Sequence, residues 1–315
     1  MAGIEEIARL SGVSMSTVSN VLNNKRNVGD TTREKVLRIA SELNYIHKGQ
    51  SVDSKRNTII VNFSDFDTLF YLDILHGVND YAQRRNFHLL ICTGDDLMHY
   101  AIPEIVCGVI IIDSHTDDSV IINIADRGIP VITLDRQLPH RNVKSIIVSN
   151  YEGERQLIEK LIENGYEKFA FLKGLDTEDC KDRYRAFRDV LKEHDIPFSR
   201  NDLYEGDWRD QSGSQAARLI MLQDRMPQIL VCANDMMAIG AIRRFEENGI
   251  RVPKDIAVCG FDDIIISHYL GLTTVSVPDY ERGFLAGQAL INIIDGNADF
   301  ETSHIGARVK WRRST

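Results

Sequence analysis

From Thr58 onward the chain alternates short apolar runs with longer stretches of helical period, and this alternation narrows the possible folds more than any other feature. The runs TIIVNFS, FHLLICT, GVIIID, IPVITLD and SIIVS have the length and branched apolar content of buried strands. Helical segments at Leu75–Arg85 and Ile121–Arg127 lie between them. A second set follows: FAFLKG, QILVCA and DIAVCGFD, separated by helices at Tyr151–Asn164, Arg183–His194, Ser212–Gln223 and Met236–Asn248. Such alternation produces parallel sheets covered by helices on both faces. Two successive sets predict two similar, doubly wound α/β lobes. Their expected extents are roughly 58–149 with 279–304, and 150–278 with the C-terminal tail.

Ligands of such sheets gather at the carboxyl ends of the strands. The residues there are polar and aromatic: Ser64 and Asp65 with Phe70 and Tyr71 beyond, Asp135 and Arg136, Arg183 expected to open its helix, Trp208, Asn234 and Asp235, and Asp262 and Asp263. An Arg among carboxylates and amides suits vicinal hydroxyls, which it can grip with two hydrogen bonds at once. Aromatic rings cover the C–H faces of a sugar or a purine. Each residue also has a plainer structural role open to it, such as an ion pair between Arg183 and Asp262 or a core position for Trp208.

The first 47 residues read differently. Ile4, Ile7 and Ala8 share one helical face, and Gly12 follows where a left-handed C-cap is needed. Ser14 can cap a second helix whose buried stripe is Val18, Val21 and Leu22. A third helix is expected from about Thr31 to Leu43, with Val36, Ile39, Ala40 and Leu43 inward; Thr31 with Glu34 has capping-box spacing, and Gly29 is the alternative cap. Helix, Gly-containing turn and helix make a helix-turn-helix pattern. The second helix turns Met15, Ser16, Thr17, Ser19 and Asn20 outward, where a recognition helix meets DNA. A small structural bundle with a polar surface is the competing account.

The stretch IEEIARLSGVSMSTVSNVLNN and its continuation NVGDTTREKVLRIASELNYI resemble the head of LacI-family transcription regulators nearly end to end. The resemblance implies that Met15, Ser16 and Asn20 read bases, while Ser14, Thr17, Ser19 and Asn23 hold phosphates. Many members carry Arg where this chain has Asn20, which implies a different operator sequence. The segments NYEGERQLIEKLIENGYEKFAFLKG, DRYRAFRDVL, ANDMMAIGA, VCGFDD, LTTVSVPDYERG and WRRST resemble the family's sensor, whose fold is similar to periplasmic sugar-binding proteins. By that pattern Asp135, Arg183, Trp208, Asn234 and Asp262 line an effector cleft that Phe70 and Tyr71 close. Implied with it are a palindromic double-stranded DNA operator, a homodimer, no cofactor and no metal. A sugar or sugar phosphate is the first-choice effector, and a nucleobase or nucleoside the second.

The chain departs from the family pattern in four places. After Tyr45-Ile46 the usual Pro-Asn and Leu-bearing hinge helix is replaced by HKGQSVDSKRNT, about three residues shorter. Either Val52 serves as the minor-groove wedge of a shortened hinge, or residues 48–57 are a tether whose Lys48, Lys55 and Arg56 touch phosphates. The poor helix formers Gly49, Ser51, Asp53 and Ser54 favour the tether. The usual Asn-Pro-Phe-Phe is Thr68-Leu69-Phe70-Tyr71, and the usual Gln before Pro278 is Val277. DDLMHYAIPEIVCG is about six residues short, so a first-lobe helix should be truncated.

Charge and motifs decide between functional classes. The net charge of −9 argues against nucleic-acid binding until its distribution is considered: residues 1–57 carry +3 and the remainder −12, a basic head on an acidic body. Dehydrogenase chemistry lacks its fingerprint, because no two glycines stand two apart, and no P-loop, G-x-S-x-G or H-E-x-x-H occurs. No catalytic residues are therefore expected. Cys92, Cys107, Cys232 and Cys259 sit in apolar runs as buried reduced thiols, and Cys180, in a polar stretch, is the candidate exposed one. Neither a secretory leader nor a membrane-length apolar run is found, which predicts a cytoplasmic protein with no membrane partner. The expected function is an effector-controlled DNA-binding repressor. The alternative is a sensor with weakened DNA binding that acts through a protein partner.

Overall fold

The structure, a computed structural model, describes residues 3–22, 25, 28–43, 45, 57–66, 69–297 and 301–315. Internal contacts divide the chain into two units, residues 1–56 and 57–315. Asn23, Val52 and residues 48–56 of the expected linker lie outside the described residues.

The first unit holds helices α1 (Ile4–Ser11), α2 (Met15–Leu22) and α3 (Asp30–Glu42). Ile7, Ala8, Val18, Val21, Val36, Ile39 and Ala40 form its core. Gly12 ends α1 in the left-handed conformation at φ 65°, and its N–H closes on the Ala8 carbonyl. α3 starts at Asp30 with the Gly29 carbonyl accepting from Arg33 N–H at 3.0 Å, so the cap is Gly29 and not Thr31.

In the second unit a first lobe is built from β1 (Thr58–Phe63), α4 (Phe70–Arg84), β2 (His88–Thr93), α5 (Leu97–Tyr100), β3 (Gly108–Ile111), α6 (Asp118–Asp126), β4 (Val131–Thr133) and β5 (Val143–Val148). The chain then crosses to α7 (Asn150–Glu163), β6 (Phe169–Lys173), α8 (Glu178–Glu193), β7 (Leu203–Glu205), α9 (Asp210–Met221), β8 (Ile229–Cys232), α10 (Asp235–Glu247), β9 (Ala257–Asp262), α11 (Ile265–Leu270) and β10 (Thr273–Ser276). It returns through α12 (Asp279–Ile294) to β11 (Ser303–Ile305) in the first sheet, and crosses once more to β12 (Arg308–Lys310) in the second. Three strands of chain thus join the lobes, near 149, 278 and 306.

The first sheet has the order β11-β5-β4-β3-β1-β2 and is parallel throughout; the second runs β12-β10-β9-β8-β6-β7, with only β12 antiparallel. Central strands are apolar at every position because helices cover both faces: β3 and β8 are buried along their whole length. In both sheets β-strand order reverses beside the first strand, and the carboxyl ends face one another across the join.

Several element limits differ from the sequence reading. α8 begins at Glu178, five residues before Arg183, so Arg183 lies in its second turn and does not open it. The buried stripe Cys180, Arg183, Ala186, Phe187, Val190 and Leu191 keeps helical spacing back to that start. Glu178 and Asp179 belong to the first turn, where carboxylates favour the positive end of the helix dipole. α4 begins at Phe70, because its inward stripe starts at Tyr71 and runs through Ile74 and Val78. Cys180 is fully buried, not exposed; its Sγ accepts from Gly174 N–H at 3.3 Å, and burial pushes the thiol up to about 11. The shortened segment 95–108 leaves α5 with only four residues.

Candidate functional site

Between the lobes lies a cleft of about 720 Å³, walled by residues that follow the strands of both sheets. Phe70, Tyr71, Asp135, Arg183, Trp208, Asn234 and Asp262, the seven residues expected at an effector site, all line it. Phe70, Tyr71 and Asp135 belong to the first lobe, and the other four to the second.

Arg183 organises the second-lobe wall. Its buried guanidinium donates from Nε to Asn150 Oδ1 at 3.0 Å and from Nη1 to the Ala233 carbonyl at 2.5 Å. It stacks 3.6 Å from the Phe261 ring centre and stands 3.4 Å from Asp262 Oδ1. The Arg183–Asp262 ion pair and the cleft position therefore coexist. Burial drives the Asp262 carboxyl well above its ordinary value, and Arg183 offsets part of that. Asn234 caps α10, accepting from Met237 N–H at 3.0 Å, and its amide donates to the Trp208 carbonyl at 2.9 Å. Gly174 passes so close beneath the Trp208 ring that a Cβ there would stand 2.5 Å from it. Trp208 and Asp262 hold φ angles of 72° and 112°, a conformation costing a non-glycine residue on the order of 1–3 kcal/mol.

The first-lobe wall is a hydrogen-bonded set. Tyr71 O–H donates to Asp113 Oδ2 at 2.6 Å, and Ser64 N–H to the same oxygen at 2.7 Å. Asp135 Oδ2 accepts from Arg136 at 3.0 Å, while its Oδ1 is buried without a partner. Burial raises the Asp135 carboxyl to about 7 against the pull of Arg136. Arg282, in the first turn of α12, anchors one Nη on the Leu134 carbonyl, and the other stands 3.4 Å from Asp279, whose burial lifts it to about 6. Across the cleft Arg209 reaches Asp65 at 3.1 Å, an ion pair that joins the two lobes.

Asn150, Asp113, Asp279 and Arg282 were not singled out from the sequence. Asp113 follows β3 after Ile112, so the strand-end rule covered it. Asp279 and Arg282, three apart, mark the start of α12, a helix the apolar pattern did not isolate.

In the other unit, the N-terminal turn of α2 is exposed. Ser14 Oγ accepts from Thr17 N–H at 3.1 Å and lies 2.8 Å from both Ser16 Oγ and Thr17 Oγ1. Met15 and Ser16 are exposed, and Thr17, Ser19 and Asn20 are half-buried. Val18 and Val21, on the opposite side, lock the helix to the core.

Among the described residues no group of three or more His, Cys, Asp or Glu is arranged to hold a metal ion, and no helix is long and apolar enough to cross a membrane.

Comparison with known proteins gives matches over both units. Residues 3–47 match the model of bacterial regulatory proteins, lacI family, and residues 158–315 that of a periplasmic binding protein-like domain. The chain is 32% identical over 307 residues to the "Probable HTH-type transcriptional repressor ExuR" of Bacillus subtilis (strain 168), covering 93% of this chain and 92% of that one. It is 33% identical over 309 residues to the HTH-type transcriptional repressor PurR of Vibrio atlanticus (strain LGP32), with the same coverage, 93% and 92%. Among solved structures, the Lac repressor dimer bound to operator and the anti-inducer ONPF aligns at a TM-score of 0.77 and 27% identity, covering 100% of this chain and 99% of that one. The complex of the transcriptional regulator CelR with cellobiose aligns at 0.75 and 28%, covering 100% of both.

Proposed function

The chain belongs to the lacI family of bacterial regulatory proteins, and from that premise we propose how its parts divide the work. It is a DNA-binding transcription repressor and not an enzyme; it acts as a homodimer on operator DNA under the control of a small molecule. Residues 1–47 form the DNA-binding domain, 48–57 the linker and 58–315 the effector-binding and dimerisation domain. Met15, Ser16 and Asn20 read base edges in the major groove, while Ser14, Thr17, Ser19 and Asn23 hold phosphates. The protein works in the cytoplasm, where the operator is.

One observation carries the DNA reading. α2 is fixed from behind by Val18 and Val21, and it presents a first turn of short hydroxyls with its backbone close to the surface. Small side chains on a pinned helix let the backbone approach phosphate, which a merely structural bundle does not require.

The effector is a sugar or sugar phosphate, held by Asp135, Arg183, Trp208, Asn234 and Asp262 and covered by Phe70 and Tyr71. Support comes from the convergence of all seven on one cleft between lobes joined by three strands of chain. Closure of the cleft alters operator affinity only as far as the effector prefers one lobe arrangement, and operator DNA must bias the effector equally in return.

A gel-shift titration with the palindrome upstream of the chain's own gene tests the whole reading. Binding should weaken steeply as salt rises. Asn20→Ala should cost about 1–3 kcal/mol on that operator and little on scrambled DNA. Equal binding to every fragment would end the repressor reading.

A further inference from the structure

The charge of the effector can be read from the cleft wall, an inference that rests on the effector-sensor reading above. Among the described residues, eight aspartates and three arginines line the cleft. All three guanidinium groups already have carboxylates beside them: Arg183 has Asp262 at 3.4 Å and Asp179 at 3.7 Å, Arg282 has Asp279 at 3.4 Å, and Arg209 has Asp65 at 3.1 Å. No positive charge is left uncompensated for an incoming anion.

Two buried polar atoms of the wall are nonetheless unused, namely Asp135 Oδ1 and Arg282 Nε. They belong to the same corner, since Arg282 is anchored on the carbonyl of Leu134, the residue preceding Asp135. One is an acceptor and the other a donor. A hydroxyl can serve either, accepting from Arg282 or donating to Asp135. A phosphate or carboxylate could only accept. It would also bring negative charge into a wall whose described aspartates outnumber its arginines, where like-charge contact disfavours binding. Phe70 and Trp208 on facing walls offer flat apolar surface for the C–H faces of a ring.

The geometry points to a hydroxyl-rich effector that carries no anionic group: a sugar neither phosphorylated nor oxidised to an acid. Arg282 and Asp135 each meet a hydroxyl of it, and the surplus of aspartates excludes the acidic forms of the same sugar.

The test uses the full-length protein and sugars matched in shape but not in charge. Thermal shift followed by calorimetry would compare glucose, galactose, ribose and cellobiose with the corresponding uronic acids, phosphate esters and amino sugars. A neutral or amino member should bind, and its acidic counterpart should be weaker by on the order of tenfold or more. Asp135→Asn should weaken the best neutral sugar by a similar factor, because it trades an acceptor for an amide. For an anionic ligand, at a pH well above 7 where Asp135 is ionised, the same change removes repulsion and tightens binding. If Asp135→Asn does not fold, Asp279→Asn supplies the same comparison of sign. An acidic or phosphorylated sugar that binds the unmutated protein as tightly as its neutral counterpart, or tighter, would overturn the proposal while leaving the sensor reading intact. No response to any charge class would overturn the sugar-sensor reading itself, and the proposal with it.

Discussion

Glu154 lies in the second turn of α7 with both carboxyl oxygens buried and without a hydrogen-bond partner. Burial raises its carboxyl from 4.5 to about 8, partly offset by the Arg183 guanidinium on α8; the Cys232 and Cys259 thiols on β8 and β9 face the same space. The folded protein therefore holds a proton that the unfolded chain releases. The stability from that proton is complete below about 4.5, declines as pH rises, and is lost above about 8. Glu154→Gln keeps the shape and removes the titration. In urea melts the variant should match the parent near pH 5 and exceed it at pH 8.5, by on the order of 2–4 kcal/mol. Parallel pH profiles for the two proteins would show that Glu154 titrates normally. Asn234 makes a second residue-scale case, since one side chain caps α10 and holds the Trp208 backbone. Asn234→Ala should cost about 1 kcal/mol of stability from the lost cap. It should cost effector affinity as well, because Trp208 loses its tether. A cap loss without any affinity loss would reduce Asn234 to a structural residue.

At the scale of elements, each lobe contains one helix pair in near backbone contact. In the first lobe, a Cβ on Gly77 of α4 would stand 2.0 Å from the Tyr280 carbonyl oxygen, and one on Gly283 of α12 equally close to that of Ile74. In the second lobe, Gly213 of α9 and Gly240 of α10 meet the Met237 and Asp210 carbonyls at 1.9 Å. Alanine favours an isolated helix by up to about 1 kcal/mol over glycine, yet here it must push two backbones apart. Gly77→Ala and Gly240→Ala should each lower the unfolding free energy measured in urea melts by roughly 1–3 kcal/mol. A gain in stability for either would mean that the helices can separate freely. These crossings explain part of what sequence reading missed. The core strands were plain because strands buried on both faces are continuous apolar runs. α12 was not isolated, since Gly283 and Gly287 interrupt its apolar period at the very positions where it packs. β7, β11 and β12 have three residues each, too few to show a pattern. α8 was started late because its first turn is charged and only Cys180 there is buried. The cleft was legible through the strand-end rule, which is topological. The pairing of Arg282 with the Asp135 corner was not, because it joins positions 147 residues apart.

For the whole molecule, recognition of a palindrome requires two heads held together, so the repressor depends on its dimer surface as much as on α2. α11 has six residues, and four of them are apolar and exposed: Ile265 at 59%, Ile266 at 36%, Tyr269 at 75% and Leu270 at 41%. A folded monomer gains nothing by presenting such a cluster to water, whereas a second copy related by a two-fold axis would bury it twice over. The Lac repressor, similar to this chain over nearly its whole length, is a dimer on its operator. We therefore expect Ile265→Asp with Tyr269→Asp to yield a folded monomer by analytical ultracentrifugation. Each head would then bind alone, without the high local concentration that its partner's contact provides. Operator affinity should fall roughly 10²-fold or more, while effector binding in the cleft stays within a factor of about two. Those two readouts separate the surface from the sites. A dimer that survives both charges places the seam elsewhere, and a monomer that keeps full operator affinity would mean that one head suffices.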